Sequence, residues 1–231
     1  MQYSTFAAID IGSYDVILEI FEISKKQGIR SVDKICHRME LGKDTYTLGK
    51  IRPEMEEELC RVLADFVRIM EGYRVDDYRA TASSAISEAS NSLYVLGKIH
   101  QLTGLSVTVL SNSEQRFLSY KALAAMEDNF NKIIEKGTAI LDLDGGSFQI
   151  SLFDKDALVT TQNIRMGSLR IRERLAGIQS ETEHYEEMVE ELIWNEVSSF
   201  KKMYLKDRKI ENIMLIGDVF TDSVYQNIEE K

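Results

Sequence analysis

The sequence predicts an α/β protein built from two similar halves, and three observations carry that prediction. Strand-like apolar runs alternate with longer segments of helical periodicity along the chain. The stretches AAIDIGSYDVILEIF (residues 7–21) and AILDLDGGSFQISLF (139–153) repeat one order: apolar strand, Asp, one apolar residue, a small turn ending in Ser, apolar strand. The composition is that of a packed chain, with 231 residues, 44% hydrophobic and 29% charged, one Pro and 13 Gly. That balance excludes collagen-like, low-complexity and globally disordered sequence.

The elements follow in order. Phe6–Ile11 is an apolar run and reads as a strand. Gly12 and Ser13 sit in a turn, and Val16–Ile23 is a second strand with Glu19 and Glu22 facing out. Pro53 opens a helix, where its missing N–H costs nothing. Met55, Leu59, Val62, Leu63, Phe66, Ile69 and Met70 then form one apolar stripe, with Cys60 beside it. Tyr78–Ser83 reads as a short strand followed by a helix to about Ile99, and Leu105–Leu110 as another strand. A helix from Ser111 to about Met126 opens with the capping-box pattern Ser111-x-x-Glu114.

The polar stretch Glu127–Gly137 is the expected boundary, giving domains 1–128 and 137–231. Beyond it the sequence reads strand, Gly-Ser turn, strand, strand. A helix from about Glu181 carries the stripe Tyr185, Met188, Val189, Leu192, Ile193, Val197, Phe200 and Tyr204, with Trp194 expected to pack. The last strand is Asn212–Ile216, ending at Gly217.

Charge and cysteine content narrow the function classes. With 28 basic and 38 acidic residues the net charge is −10, which disfavours sequence-independent binding to a nucleic-acid duplex. No apolar run approaches the ~18 residues of a membrane helix. The opening MQYSTFAAIDIGSYD has no basic n-region, so no signal peptide is expected. Two cysteines make no disulfide framework, and a cytoplasmic setting is expected. His37, His100 and His184 are isolated, and no zinc spacing is present. Cys36 beside His37 reads only weakly as a nucleophile with its base, because strand neighbours point to opposite faces. Arg165, Arg170, Arg172 and Arg174 form a basic cluster that reads first as a solvated helix face.

The two turns carry the candidate chemistry. A turn of Gly and Ser aims several backbone N–H groups in one direction, which suits an anion. A duplicated fold would face two such loops across one cleft, where they would grip successive phosphates. An Asp at the end of each first strand, Asp10 and Asp142, would support Mg²⁺, a hard ion that prefers oxygen ligands. Phosphoryl transfer needs little more than positioned phosphates, a metal and a residue that orients or deprotonates water.

These residues resemble the exopolyphosphatase / guanosine pentaphosphate phosphohydrolase (Ppx/GppA) family, over nearly the whole chain and in order. AAIDIGSYD looks like its first phosphate loop, usually Asp-hydrophobic-Gly-Ser-Asn-Ser. Glu40–Lys43 (ELGK) resembles its Arg-Leu-Gly segment, and Ala82–Asn91 (ASSAISEASN) its Ala-Thr-Ser-Ala-x-Arg-Glu-Ala-x-Asn. Leu110–Leu123 resembles Ile-Ser-Gly-x-Glu-Glu-Ala-x-Leu. Ile140–Ile150 resembles Asp-hydrophobic-Gly-Gly-Gly-Ser-Thr-Glu, and Arg165–Leu175 a Met-Gly-x-hydrophobic-Arg segment. Leu215–Ser223 stands where Gly-Gly-Thr follows the last strand.

The resemblance implies an α/β fold of two ribonuclease H-like (actin-like) lobes with an interlobe cleft, the second lobe C-terminally incomplete. It implies hydrolysis of a terminal phosphoanhydride of polyphosphate or a guanosine polyphosphate with Mg²⁺. Gly12, Ser13, Gly145, Gly146 and Ser147 would bind phosphate, and Asp10 and Asp142 would support the metal. Homodimers, which family members form through C-terminal regions, are a further partner class it implies.

The pattern breaks at the carboxylates. The family's catalytic base aligns with Gln115, next to Glu114, and the second-loop Glu aligns with Gln149. An amide orients water but does not take its proton, and general-base assistance contributes ~10²–10⁴-fold. Tyr14 and Asp15 replace Asn-Ser, Ser87 replaces Arg, and Asp144 replaces the first Gly of the second loop. Asp218 and Phe220 interrupt Gly-Gly-Thr. Slow hydrolysis is the first expectation. A catalytically impaired phosphate- or nucleotide-binding regulator or sensor is the second, and a sugar or acetate kinase relative a remote third.

Overall fold

A computed structural model describes residues 3–126, 130–176, 184–206 and 208–217. The chain divides into two compact units, Met1–Ser113 and Glu114–Lys231, a division that falls inside one helix ahead of the polar stretch at 127–137.

Unit 1 holds a five-stranded sheet. β1 (Ser4–Ile11), β2 (Asp15–Ser24) and β3 (Gly28–Arg38) run antiparallel; β4 (Asp77–Ala82) and β5 (Val107–Val109) add in parallel, giving the order β3-β2-β1-β4-β5. Between β3 and β4 lie α1 (Leu41–Leu48) and α2 (Pro53–Tyr73). α3 (Ser84–Ser87) and α4 (Ser92–Thr103) follow β4.

The core lies on one face of this sheet. Ala7, Ile9, Ile11, Val16, Leu18 and Ile20 alternate inward, as a strand period of two requires. The α2 stripe, Leu59, Val62, Leu63, Phe66 and Met70, is buried with them, joined by Val95 and Ile99 of α4. Cys60 packs there as expected. Two buried carboxylates are paired: Glu56 with Lys98 at 2.5 Å, and Asp44 with Arg52 at 2.8 Å.

Unit 2 repeats this order. After α5 (Asn112–Met126) and α6 (Phe130–Ile134) come β6 (Thr138–Leu143), β7 (Phe148–Asp154), β8 (Ala157–Ile164), α7 (Ser168–Leu175), α8 (Tyr185–Phe200) and β9 (Asn212–Ile216). β6 pairs antiparallel with β7 and parallel with β9, in the order β8-β7-β6-β9. Each unit is therefore three antiparallel strands, an eight-residue helix, a longer helix, and a strand parallel to the first. The sequence echo of the two hairpins is the visible part of that duplication.

The two faces of the unit 2 sheet are packed separately. Leu141, Phe148, Ile150, Leu152 and Ile164 lie against Val197, Phe200 and Tyr204. Ile140 and Phe153 face Tyr120, Leu123, Phe130 and Ile134 of α5 and α6.

Several elements differ from expectation. β3, α1 and α7 lack a periodic apolar signal, and α6 lies inside the stretch read as a polar boundary although Phe130, Ile133 and Ile134 have helical spacing. The expected helix to Ile99 is broken at residues 88–91 into α3 and α4. Trp194 does not pack: it is 61% exposed, because it falls on the outer side of α8. The start of the helix expected at Glu181 lies outside the described residues. Among the described residues no helix is long and apolar enough to cross a membrane.

Candidate phosphate site

The hairpin register shows which loop residues correspond. Asp10 lies opposite Ile17 and Asp142 opposite Gln149, seven positions on in both cases. Both loops close with the same turn, Gly12 N–H donating to Asp15 O at 3.0 Å and Asp144 N–H to Ser147 O at 3.1 Å. Gly12 thus corresponds to Asp144, Ser13 to Gly145, and Asp15 to Ser147. The sequence echo aligned Ser13 with Ser147; the register places them two positions apart.

In unit 1, the loop is tied by hydroxyls. Ser13 is buried, its Oγ 2.6 Å from the Tyr46 hydroxyl and 3.4 Å from Ser84 Oγ, and the last two are 2.8 Å apart. The start of α1 closes on the loop carbonyls: Gly42 N–H donates to Ser13 O, and Met39 and Glu40 N–H to Tyr14 O. That contact explains why the ELGK segment accompanies the loop. Asp10 is exposed at the end of β1 and accepts from Thr81 Oγ1 at 3.4 Å.

In unit 2, α7 closes on its loop in the same way. Ser168 N–H donates to Asp144 O and Arg170 N–H to Gly145 O, while Arg170 Nε donates to Gly146 O at 2.9 Å. Arg170 is therefore part of the loop's framework, not only of a solvated face; Arg172 pairs with Glu173. Gly167 fits because it has no side chain. A Cβ there would lie 2.4 Å from Gly145 C and Ser147 N, closer than real Cβ contacts come.

Asp144 turns inward on its own loop. Its Oδ1 accepts from Gly146 N–H at 2.5 Å and Ser147 N–H at 2.7 Å, and its Oδ2 from Ser147 Oγ at 3.5 Å. The Gln115 side chain of α5 adds a further hydrogen bond to the same carboxyl. Burial pushes the Asp144 carboxyl above its ordinary value, outweighing the opposite pull of these donors.

α5 reaches across the polar stripe of the sheet at two more points. Arg116 donates to Thr161 Oγ1 at 2.9 Å, and the Tyr120 hydroxyl bonds Ser151 Oγ. Within unit 2 the structure thus gathers Gln115, Gly145, Gly146 and Ser147, with Gln149 buried on the strand leaving the loop and Asp142 on the strand entering it. Glu114 is exposed on α5. Asp10, Gly12 and Ser13 form the separate loop of unit 1.

Asp142, Gln149 and Asn163 lie in register across β6, β7 and β8, so they share a face. Gln149 Oε1 and Asn163 Oδ1 are buried and have no hydrogen-bond partner among the described residues. One carboxylate and two amide oxygens are hard donors and fit Mg²⁺ that brings water and phosphate oxygens as further ligands. They do not form an all-protein cage: no group of three His, Cys, Asp or Glu side chains among the described residues could hold a metal.

Sequence reading missed Tyr46, Ser84, Gly167 and Asn163. Ser84 lies inside the ASSAISEASN match and Gly167 inside RMGSLRIRERL, so both had a signal. Tyr46 and Asn163 had none. Cys36 is exposed with its thiol pushed up by burial of the sulfur and by Asp15, the wrong direction for a nucleophile. His37 instead approaches Glu58 at 3.5 Å. Asp218 and Phe220 lie outside the described residues.

The duplicated hairpin sheets with a Gly-Ser loop in each define an actin-like α/β protein. Residues 19–231 match the model of the Ppx/GppA phosphatase family, and the chain belongs to that family. It is 22% identical to a bifunctional 3-dehydroquinate synthase/phosphatase of Fusobacterium nucleatum, across 97% of this chain and 34% of that protein. It is 25% identical to exopolyphosphatase 1 of Mycobacterium leprae, across 62% of this chain and 41% of that one. The chain thus spans roughly a third to two fifths of the length of these relatives. Among solved structures it resembles an exopolyphosphatase from Cytophaga hutchinsonii, with TM-score 0.76, 18% identity, and coverage of 98% of this chain and 71% of that chain. The Aquifex aeolicus Ppx/GppA family member gives TM-score 0.70 and 23% identity, with coverage of 95% and 68%.

Proposed function

We propose that the chain acts on a terminal phosphoanhydride, hydrolysing polyphosphate or a guanosine polyphosphate slowly and with Mg²⁺ in a cytoplasmic setting. The observation that carries this reading is the placement of Gln115. Its amide reaches the second loop, where a water attacking a loop-bound phosphate would need to be oriented. Asp142, Gln149 and Asn163 supply oxygen donors for the cation, which would neutralise phosphate charge. Arg170 holds the loop backbone in shape.

The rate expectation follows from chemistry. Neither Gln115 nor Gln149 takes a proton near neutral pH, so general-base assistance, ~10²–10⁴-fold, is forfeited. A second reading, a phosphate- or nucleotide-binding regulator without turnover, is favoured by the same two amides, which bind and orient but take no proton.

Phosphate release from polyphosphate and from pppGpp in Mg²⁺ separates the two. Slow release that rises ~10²-fold or more in Gln115→Glu with Gln149→Glu supports the hydrolase. Binding without release, in both the parent and the double variant, supports the regulator. No binding and no release at millimolar ligand would reject both.

A further inference from the structure

We propose that Asp144 is the specificity-determining residue of the second loop: its carboxylate occupies the cradle of N–H groups that a ligand phosphate would use, so phosphate enters only by displacing it. This rests on the reading of that loop as a phosphate site and names what controls access to it.

Three features of the loop support it. Gly146 and Ser147 both direct their N–H groups at one oxygen, Asp144 Oδ1, at 2.5 and 2.7 Å. Two adjacent amides converging on one anionic oxygen is how such a loop holds a phosphate oxygen. The Ser147 hydroxyl turns to the second carboxylate oxygen, and Gln115 bonds the same group. The donors assembled around the loop are thus satisfied from within the chain.

The loop of unit 1 is the internal control. It closes with the same backbone turn, but Gly12 stands where Asp144 stands. A glycine has no carboxylate to fold back. The substitution therefore adds an anion at a register position from which its short side chain reaches the two following amides.

A competing phosphate must overcome two effects. It must replace charge-assisted hydrogen bonds that already exist. It must also approach a partly buried negative charge, unless a cation is bound between them. Displacing Asp144 leaves that carboxylate in need of new partners, which weakens net affinity further.

The test uses the whole chain and titrates sodium tripolyphosphate by calorimetry, without divalent cation, into the parent, Asp144→Gly, Asp144→Ala and Asp144→Asn. Gly and Ala empty the cradle. Asn keeps an oxygen in it and removes only the charge. Glycine and alanine variants should bind about tenfold or more tightly than the parent, the factor one charge-assisted hydrogen bond supplies. Asn should gain clearly less. Adding Ser147→Ala to the Gly variant removes the loop hydroxyl but keeps both N–H groups, so it should cancel only part of the gain, locating it at this loop.

Circular dichroism and thermal melts establish that each variant is folded, and Ala carries the test if Gly does not fold. Equal measurable affinity in the parent and the emptied variants would overturn the role of Asp144 while leaving the loop a phosphate site. An Asn gain equal to that of Ala would overturn occupancy in favour of charge alone. Failure of every folded chain to bind at millimolar tripolyphosphate would overturn both this inference and the phosphate-site reading beneath it.

Discussion

The two loops share a turn, a strand register and a helix that closes over their carbonyls, yet they are stabilised by different chemistry. In unit 1 the loop is tied by hydroxyls, Ser13, Tyr46 and Ser84 sharing contacts, and its carboxylate, Asp15, pairs outward with Arg38. In unit 2 it is anionic: Asp144 bonds its own loop and Gln115 reaches over from α5. The faces carrying the two aspartates differ as well. In unit 1 Phe6, Ala8 and Ile17 on that face are half-buried, whereas in unit 2 α5 and α6 cover Ile140 and Phe153. One backbone design therefore tolerates either a hydroxyl cluster or an internal carboxylate.

The largest effect that would sharpen this contrast is expected at Gly167. Gly167→Val drives a side chain into the backbone of residues 144–147 and should cost about 3 kcal/mol or more, read from urea midpoints. The residue just before α1 in unit 1, Glu40, already has a left-handed backbone with φ 52°. Glu40→Gly should change stability by less than about 1 kcal/mol, because glycine adopts that conformation freely. Comparable losses at the two positions would break the comparison.

A smaller effect is expected from the hydroxyl cluster. Tyr46→Phe removes the hydroxyl that joins Ser13 and Ser84 and leaves their side chains, among the described residues, with the 3.4 Å contact to each other. It should cost about 1 kcal/mol, the net value of a typical hydrogen bond. No change in the urea midpoint would show that the loop of unit 1 is held by its backbone contacts alone.

The smallest effect is in pH dependence. The Asp144 carboxyl lies above its ordinary value in the folded chain. The folded state therefore binds this proton more readily than the unfolded state. Its contribution to stability is full below the unfolded value and is lost as pH rises through the folded one. Asp144→Asn removes this component, so its urea midpoint should fall less than the parent's as pH is raised through the carboxylate range. Parallel pH profiles would contradict the burial of that carboxyl.

Much of this architecture was legible in the sequence because burial leaves a period. β1, β2, β6 and β7 alternate or run apolar, and α2 shows an unbroken stripe. β3 was not legible, because it is an outer strand whose residues are exposed or half-exposed throughout, so GIRSVDKICHR carries no apolar period. α1 and α7 are eight residues each and act by their first N–H groups, which leave little trace in composition. At the site, motif order gave Gln115 and the Gly-Ser loops. It did not give the correspondence of Ser13 with Gly145, which depends on turn pairing. Nor did it give the direction of Asp144: a carboxylate beside an anion loop reads as a repelling charge until its bonds to Gly146 and Ser147 are seen.

Occupancy of the second loop is read most directly from a crystal structure of the Asp144→Gly chain soaked in tripolyphosphate. A phosphate oxygen is expected in the place of Asp144 Oδ1, accepting from the N–H groups of Gly146 and Ser147. Tripolyphosphate bound elsewhere, with those two N–H groups facing only water, would contradict it.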